Sequence, residues 1–260
     1  MAEERLTMLW EGLKLTEEEE QVVLLYDQSL QEAYWKGKHC LMSLVTSDKP
    51  INIEAFKKTM ALVWRLEGWV EFLVTSDNSF FIEFQMLVDK EKVLKGRLWT
   101  FDRFLVALQE VDGSLPFNAI SFTHESFWVQ LHNMPLLGMN QEYGKLVASA
   151  IGNVLFVEVK EDGMGWGRSL RVKAEVNLTK ALVRGRWVQG GDQRTWIAFK
   201  YERLQNFCFK CGVLKHKGKS CPLMHRDDGE AIQFGPWLRA TPSKTRLSES
   251  RKYGGDGSFD

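Results

Sequence analysis

Residues 40–84, CLMSLVTSDKPINIEAFKKTMALVWRLEGWVEFLVTSDNSFFIEF, change hydrophobic period from two to 3.6 and back. The apolar run 40–46 suits a strand, and Asp48-Lys49-Pro50 breaks it. Ile53, Phe56, Met60 and Val63/Trp64 then fall on one helical stripe, which Gly68 stops. Val70, Phe72 and Val74 alternate with Glu71 and Thr75 as in a strand, and Asp77-Asn78 marks a hairpin turn. Phe80, Ile82, Phe84 and Met86 share a face of the next strand. Leu87, Glu91 and Leu94 suggest a short helix ended by Gly96, and 98–108 holds a further strand. The order β-α-β-β-α-β is the split βαβ, or ferredoxin-like, arrangement. It predicts an RRM-like α+β domain over 36–110, with two helices on one face of an antiparallel sheet and the other face free.

Upstream, residues 1–35 read as an acidic helical arm. Thr16 before Glu17, Glu18 and Glu19 resembles an N-cap with carboxylates in the first turn, and the apolar run 22–26 is suited to dock one side. Downstream, 111–205 reads as a second small α+β unit. It holds a strand at 127–132 ended by Pro135, a helical stripe of Tyr143, Leu146, Val147 and Ala150 closed by Gly152, and a strand at 154–159. From 170 to 178, Leu170, Val172, Ala174, Val176 and Leu178 alternate strictly with polar residues, so that strand has one buried and one mostly basic face. Segments 184–189 and 195–201, joined by Gly190-Gly191-Asp192, continue the sheet. No internal repeat is legible. Residues 223–260 lose periodicity and read as a flexible, largely disordered tail.

Composition excludes several classes. The chain has 260 residues, 44% hydrophobic and 26% charged, with 34 basic and 34 acidic side chains. The neutral sum hides a polarity: nine acids oppose two bases in 1–35, and seven bases oppose one acid in 200–226. No apolar run approaches the roughly 20 residues of a membrane helix, and the acidic start lacks a secretory layout. An intracellular location, nucleus or cytoplasm, is expected. Four cysteines do not make a disulfide scaffold, and three of them within fourteen residues point to metal chemistry.

Residues 206–221, NFCFKCGVLKHKGKSC, place Cys208, Cys211, His216 and Cys221 in the pattern C-x2-C-x4-H-x4-C. Two thiols separated by two residues turn back on one ion, and each four-residue loop returns one further ligand. Three sulfurs and one nitrogen at tetrahedral corners suit Zn²⁺, at about 2.3 Å and 2.0 Å. All four positions are filled by protein, so the knuckle at 206–222 is expected to be structural. Lys210, Lys215, Lys217 and Lys219 surround it, with Phe207 and Phe209 flanking the first ligand. Lysines for phosphates and an aromatic for bases suit a single strand of RNA or DNA. Phe209 is the stacking candidate, while Phe207 fits the knuckle core. Arg171 and Lys173, then Arg184 and Arg186, extend the expected phosphate track.

Residues 201–221 resemble the C-x2-C-x4-H-x4-C zinc knuckles of plant proteins. GRLWTF at 96–101, FWVQLHNMP at 127–135 and FGPWLRA at 234–240 resemble the plant domain of unknown function that precedes that knuckle. The resemblance covers most of 35–240. It implies descent from the first reading frame of LINE-type retrotransposons or from gag-like genes, and implies nucleic-acid binding. It carries Cys208, Cys211, His216 and Cys221 over as zinc ligands. Gly212 matches the usual glycine after the second cysteine; Lys215 stands where many retroviral-type knuckles have glycine.

In the first unit, Phe81-Ile82-Glu83-Phe84 echoes the end of the RNP1 pattern. Ser79 occupies the place of a stacking aromatic, and Leu41-Met42-Ser43 lacks one, so a protein-interaction role fits that unit as well. Most of the ten tryptophans are expected in the core or between units. No carboxylate cluster, nucleophile elbow or His-Glu metal pair suggests an enzyme. The reading is a non-enzymatic, zinc-dependent binder of single-stranded nucleic acid. The alternative is a protein-interaction adaptor in which the knuckle is a structural staple.

Overall fold

The computed structural model describes Lys14 and residues 16–24, 27–111, 116–215, 221 and 232–241. It is a mixed α+β chain with two antiparallel five-stranded sheets. The first contains β1 (Cys40–Val45), α2 (Ile53–Trp64), β2 (Val70–Ser76), β3 (Ser79–Phe84), α3 (Leu87–Lys95), β4 (Trp99–Phe101) and β5 (Phe104–Glu110), preceded by α1 (Asp27–Lys38). Its order is β2-β3-β1-β5-β4, which is the split βαβ order plus one edge strand. That edge strand is a correction: residues 98–108 form a hairpin, not one strand. Asp102 and Arg103 both take positive φ, at 48° and 63°, as a two-residue type I′ turn requires, and neither is the glycine that would have announced it.

The helical face of this sheet buries Leu41, Phe80, Ile82, Phe84, Val106 and Leu108 against Phe56, Met60, Trp64 and Val93. Phe56 and Phe80 stack with ring centroids 4.5 Å apart. The stripe on α2 is thus narrower than its sequence suggests, since Ile53 and Val63 stay exposed. On α3 the buried positions are Asp89, Lys90 and Val93 rather than the apolar Leu87. Asp89 is held there because its carboxylate accepts the N–H groups of Glu67 and Gly68, and Lys90 donates to the Lys38 carbonyl.

The opposite face of the sheet is not free. Met42, Leu105 and Ala107 are buried in the same apolar cluster as the second sheet, with Phe122 and, partly buried, Val111, Ile120 and Phe207. Phe81, the RNP1-like aromatic, packs edge-on against Phe117 of the connector.

The second sheet contains β6 (His124–His132), α4 (Gln141–Ala148), β7 (Val154–Glu158), β8 (Ser169–Asn177), β9 (Gly185–Gly190) and β10 (Gln193–Tyr201), ordered β7-β8-β6-β10-β9. Strand for strand this is the order of the first sheet, including the edge strand that precedes the last. The repeat invisible in the sequence is therefore one of topology. Its second helix has no counterpart, for residues 178–184 cross from β8 to β9 without one. On α4 the buried residues are Gly144, Val147 and Ala148, while Tyr143 and Leu146 face outward.

The two sheets meet at an ion pair. Arg97 Nη1 lies 3.0 Å from Glu125 Oε1, and the Glu125 side chain is 1% exposed. Glu125 also accepts the N–H groups of Leu108 and Ser126. Burial pushes its carboxyl above the usual carboxylate range, with Arg97 and those two donors opposing the shift.

Three expectations about the ends change. Thr16 and Glu19 exchange capping-box hydrogen bonds, but 17–19 forms only a turn, and the helix begins at Asp27 and runs beyond 35. Val22, Val23 and Leu24 are exposed rather than docked. Within the stretch read as tail, 232–241 packs on the body: Leu238 is buried, and Ala240 N–H donates to the Tyr201 carbonyl. The rest of 223–260 lies outside the described residues. No described helix is long and apolar enough to cross a membrane.

Candidate metal centre

Local geometry of the Cys208 turn follows from its backbone. Gly212 N–H donates to the Cys208 carbonyl at 2.7 Å, and Cys208 N–H donates to the Val213 carbonyl at 3.0 Å. The turn needs a left-handed residue, and Gly212 supplies φ 75°. A Cβ at Gly212 would also overlap the Phe234 ring. The reversal brings the sulfurs of Cys208, Cys211 and Cys221 within 4.8 Å of one another, with Cys211 and Cys221 buried. His216, the expected fourth ligand, lies outside the described residues, as do Lys217 and Lys219.

These sulfurs fit zinc. A tetrahedron with metal–sulfur bonds of about 2.3 Å has sulfur–sulfur edges of about 3.8 Å. The Cys208 and Cys221 sulfurs are 3.8 Å apart, far beyond a disulfide, and none of the four cysteines is disulfide-bonded. Burial, and then the neighbouring thiols, push the Cys211 thiol up to about 12, so a thiolate there needs a cation to hold it. The fourth cysteine, Cys40, is a separate buried thiol at the start of β1, pushed up to about 11 chiefly by burial.

The knuckle is bonded to the crossing that replaces a helix. Leu182 N–H donates to the Gly212 carbonyl, Lys215 N–H donates to the Leu178 carbonyl, and Ala181 bridges Val213. From the other side come Phe234, Leu238 and Arg239, which sequence reasoning did not place. Phe234 covers Gly212, and Arg239 donates to the carbonyls of Leu204 and Gln205 with its guanidinium 5.8 Å from the Phe207 ring and 5.9 Å from that of Phe209. The signal was present as Phe234, Trp237 and Leu238 in an otherwise polar stretch.

The nucleic-acid candidates are placed unequally. Phe209 is exposed, edge-on to Phe207 at 4.9 Å, and Lys210 is exposed. Lys215 is half-buried, its ammonium donating to the Phe122 carbonyl at 3.1 Å, and burial lowers its pKa. Arg171 is gripped by both oxygens of Glu202, reaches Glu158, and lies 3.7 Å over the Trp128 ring. Lys173 is half-buried on the same face. Arg184 donates to the Gln233 side chain, and Arg186 to the Leu146 carbonyl. The knuckle lysine at 215 and the arginine at 171 are thus spent on internal partners.

Residues 176–223 match the family model described as Zinc knuckle, and residues 35–112 match that described as Domain of unknown function (DUF4283). The first match begins in β8 and therefore takes in the β9–β10 hairpin as well as the cysteines. An uncharacterized protein of Arabidopsis thaliana is 25% identical over 138 residues, which are 53% of this chain and 43% of that protein. The chain spans less than half the length of that relative. A zinc knuckle is present, behind a domain whose family carries no assigned chemistry.

Proposed function

We propose that the chain is a non-enzymatic, zinc-dependent binder of single-stranded nucleic acid, in which Cys208, Cys211, His216 and Cys221 hold one Zn²⁺. Zinc would supply the cross-link that fixes the knuckle, and the residues would do the binding. The observation that carries the reading is the cluster of three sulfurs within 4.8 Å of one another, in a turn that leaves Phe209 and Lys210 exposed. Phe209 offers a base a ring face, and Lys210, Lys217 and Lys219 offer phosphates positive charge. Descent from a retroelement gene, which the resemblance implies, is part of this reading.

A second reading has its own support. The hydrogen bonds from Leu182 and Lys215 make the knuckle a brace for the second sheet, as a staple in a protein-interaction adaptor would be. One experiment separates the two. Zinc content is measured on the purified chain, and labelled single strands are titrated at several salt concentrations against wild type and Cys208→Ser. The proposal expects one zinc per chain, affinity falling steeply with salt, and loss of binding in the variant. Binding indifferent to salt and to Cys208→Ser leaves the adaptor.

A further inference from the structure

We infer that the outer face of the second sheet, at β9 and β10, is a stacking surface for the bases of a single-stranded nucleic acid. The inference rests on the nucleic-acid reading of the neighbouring knuckle and extends it to a second, separate surface.

Alternation along β10 turns Ile197, Phe199 and Tyr201 into the core, where none is more than 1% exposed. Trp196 is out of phase with them, and its register partner on β9 is Trp187. The two rings lie 5.3 Å apart and remain 36% and 52% exposed. With Trp237, 53% exposed, they wall a groove of about 560 Å³. None of the three rings belongs to a buried core cluster. A soluble chain that leaves three tryptophans around one groove presents a binding surface.

Charge selects the occupant. Arg184 and Lys200 line the groove and no carboxylate does, among the described residues. The Arg194 guanidinium lies 4.7 Å over the Trp187 ring. None of Arg184, Arg194 and Lys200 is ion-paired among the described residues, unlike Arg171 on the same sheet. Aromatic faces interleaved with uncompensated cations match unpaired bases on a phosphate chain; a duplex hides the bases and matches less well. The groove also adjoins the knuckle. The segment that places Ile232 and Trp237 in its wall seats Phe234 on Gly212. One strand could therefore pass from Phe209 to the tryptophans.

The test uses the full zinc-loaded chain and fluorescein-labelled twenty-residue oligo(dT) and oligo(U). Trp187 is substituted because Trp196 covers Gly185 and has a packing role. Trp187→Ala should weaken binding about tenfold with zinc content and circular dichroism unchanged, and Trp187→Tyr should restore most of it. Arg194→Gln should reduce the slope of log affinity on log salt by about 0.7. If Trp187→Ala binds as wild type while Cys208→Ser is weakened, the groove is refuted and the knuckle survives. If Cys208→Ser binds as wild type while Trp187→Ala is weakened, the groove stands and the knuckle reading falls. Wild type that binds neither oligonucleotide refutes both. If Trp187→Ala abolishes only self-association in sedimentation, the groove is a contact between copies and the inference is overturned.

Discussion

The two sheets of this chain share a strand order and differ in what covers them. The first carries two helices on one face, and the other face is closed at β1 and β5 by a buried apolar layer, open only at the β2 edge around Leu73. The second has a single helix, and the place of the other is taken by an irregular crossing to which the knuckle is bonded. Its outer face remains in solvent with Trp187 and Trp196 on it. The difference teaches that equal topology does not carry equal use. The first sheet's RNP1-like Phe81 is closed off by the connector, whereas the second sheet, which has no such motif, holds the exposed aromatics.

The contrast is broken most forcefully by removing the metal. Zinc peptides owe on the order of 10 kcal/mol of folding free energy to their ion. Chelation, or Cys211→Ser, should therefore release the amides of Leu182 and Lys215 to hydrogen exchange while those of β1 stay protected. Loss of protection in both sheets together would mean that the halves fold as one unit.

Next in size is the junction. Glu125→Leu leaves the Arg97 charge and the Leu108 and Ser126 N–H groups buried without their acceptor, and should cost about 3–5 kcal/mol in urea unfolding. Glu125→Gln should cost much less, because burial already favours the neutral carboxyl. The sign follows from the raised pKa. The folded chain holds this proton to higher pH than the unfolded chain, so the contribution is present at acid pH and is lost as pH rises through the folded value. Wild type should therefore lose stability relative to Glu125→Gln over that window.

Smaller is Gly212→Ala, which meets both a φ of 75° and the Phe234 ring. A loss of about 1–3 kcal/mol is expected, with weakened zinc retention in a chelator competition. Smallest is Tyr201→Phe. It removes one hydrogen bond, from the phenol to the Val183 carbonyl at 2.8 Å, and should cost about 1 kcal/mol in thermal unfolding, confined to the second sheet.

Much of this was legible in the residues. The strict alternation from Leu170 to Leu178 produced a strand with alternate burial at every position. The cysteine spacing produced a sulfur cluster because a C-x2-C turn with a following glycine has few ways to fold. Other features were hidden for physical reasons. The Asp102-Arg103 turn lacks a glycine. Glu125 lies before the strand read at 127–132, and although it is in phase with Phe127, Val129 and Leu131, a lone carboxylate announces neither its burial nor which cation it meets. In β10 both faces carry large apolar residues, and periodicity cannot say whether Trp196 or Ile197 looks inward. The repeated topology was masked because a helix in one half answers to an irregular crossing bonded to the knuckle in the other.

The ring of Phe234 seated over Gly212 has a practical corollary. A peptide cut to the sixteen-odd residues around the cysteines would keep every sulfur yet discard the lid, the Leu238 plug and the Arg239 clamp that close the lobe from behind. Such a fragment would understate how firmly the parent molecule would hold an ion at these sulfurs, and its readings would describe a looser object than the one the whole chain builds.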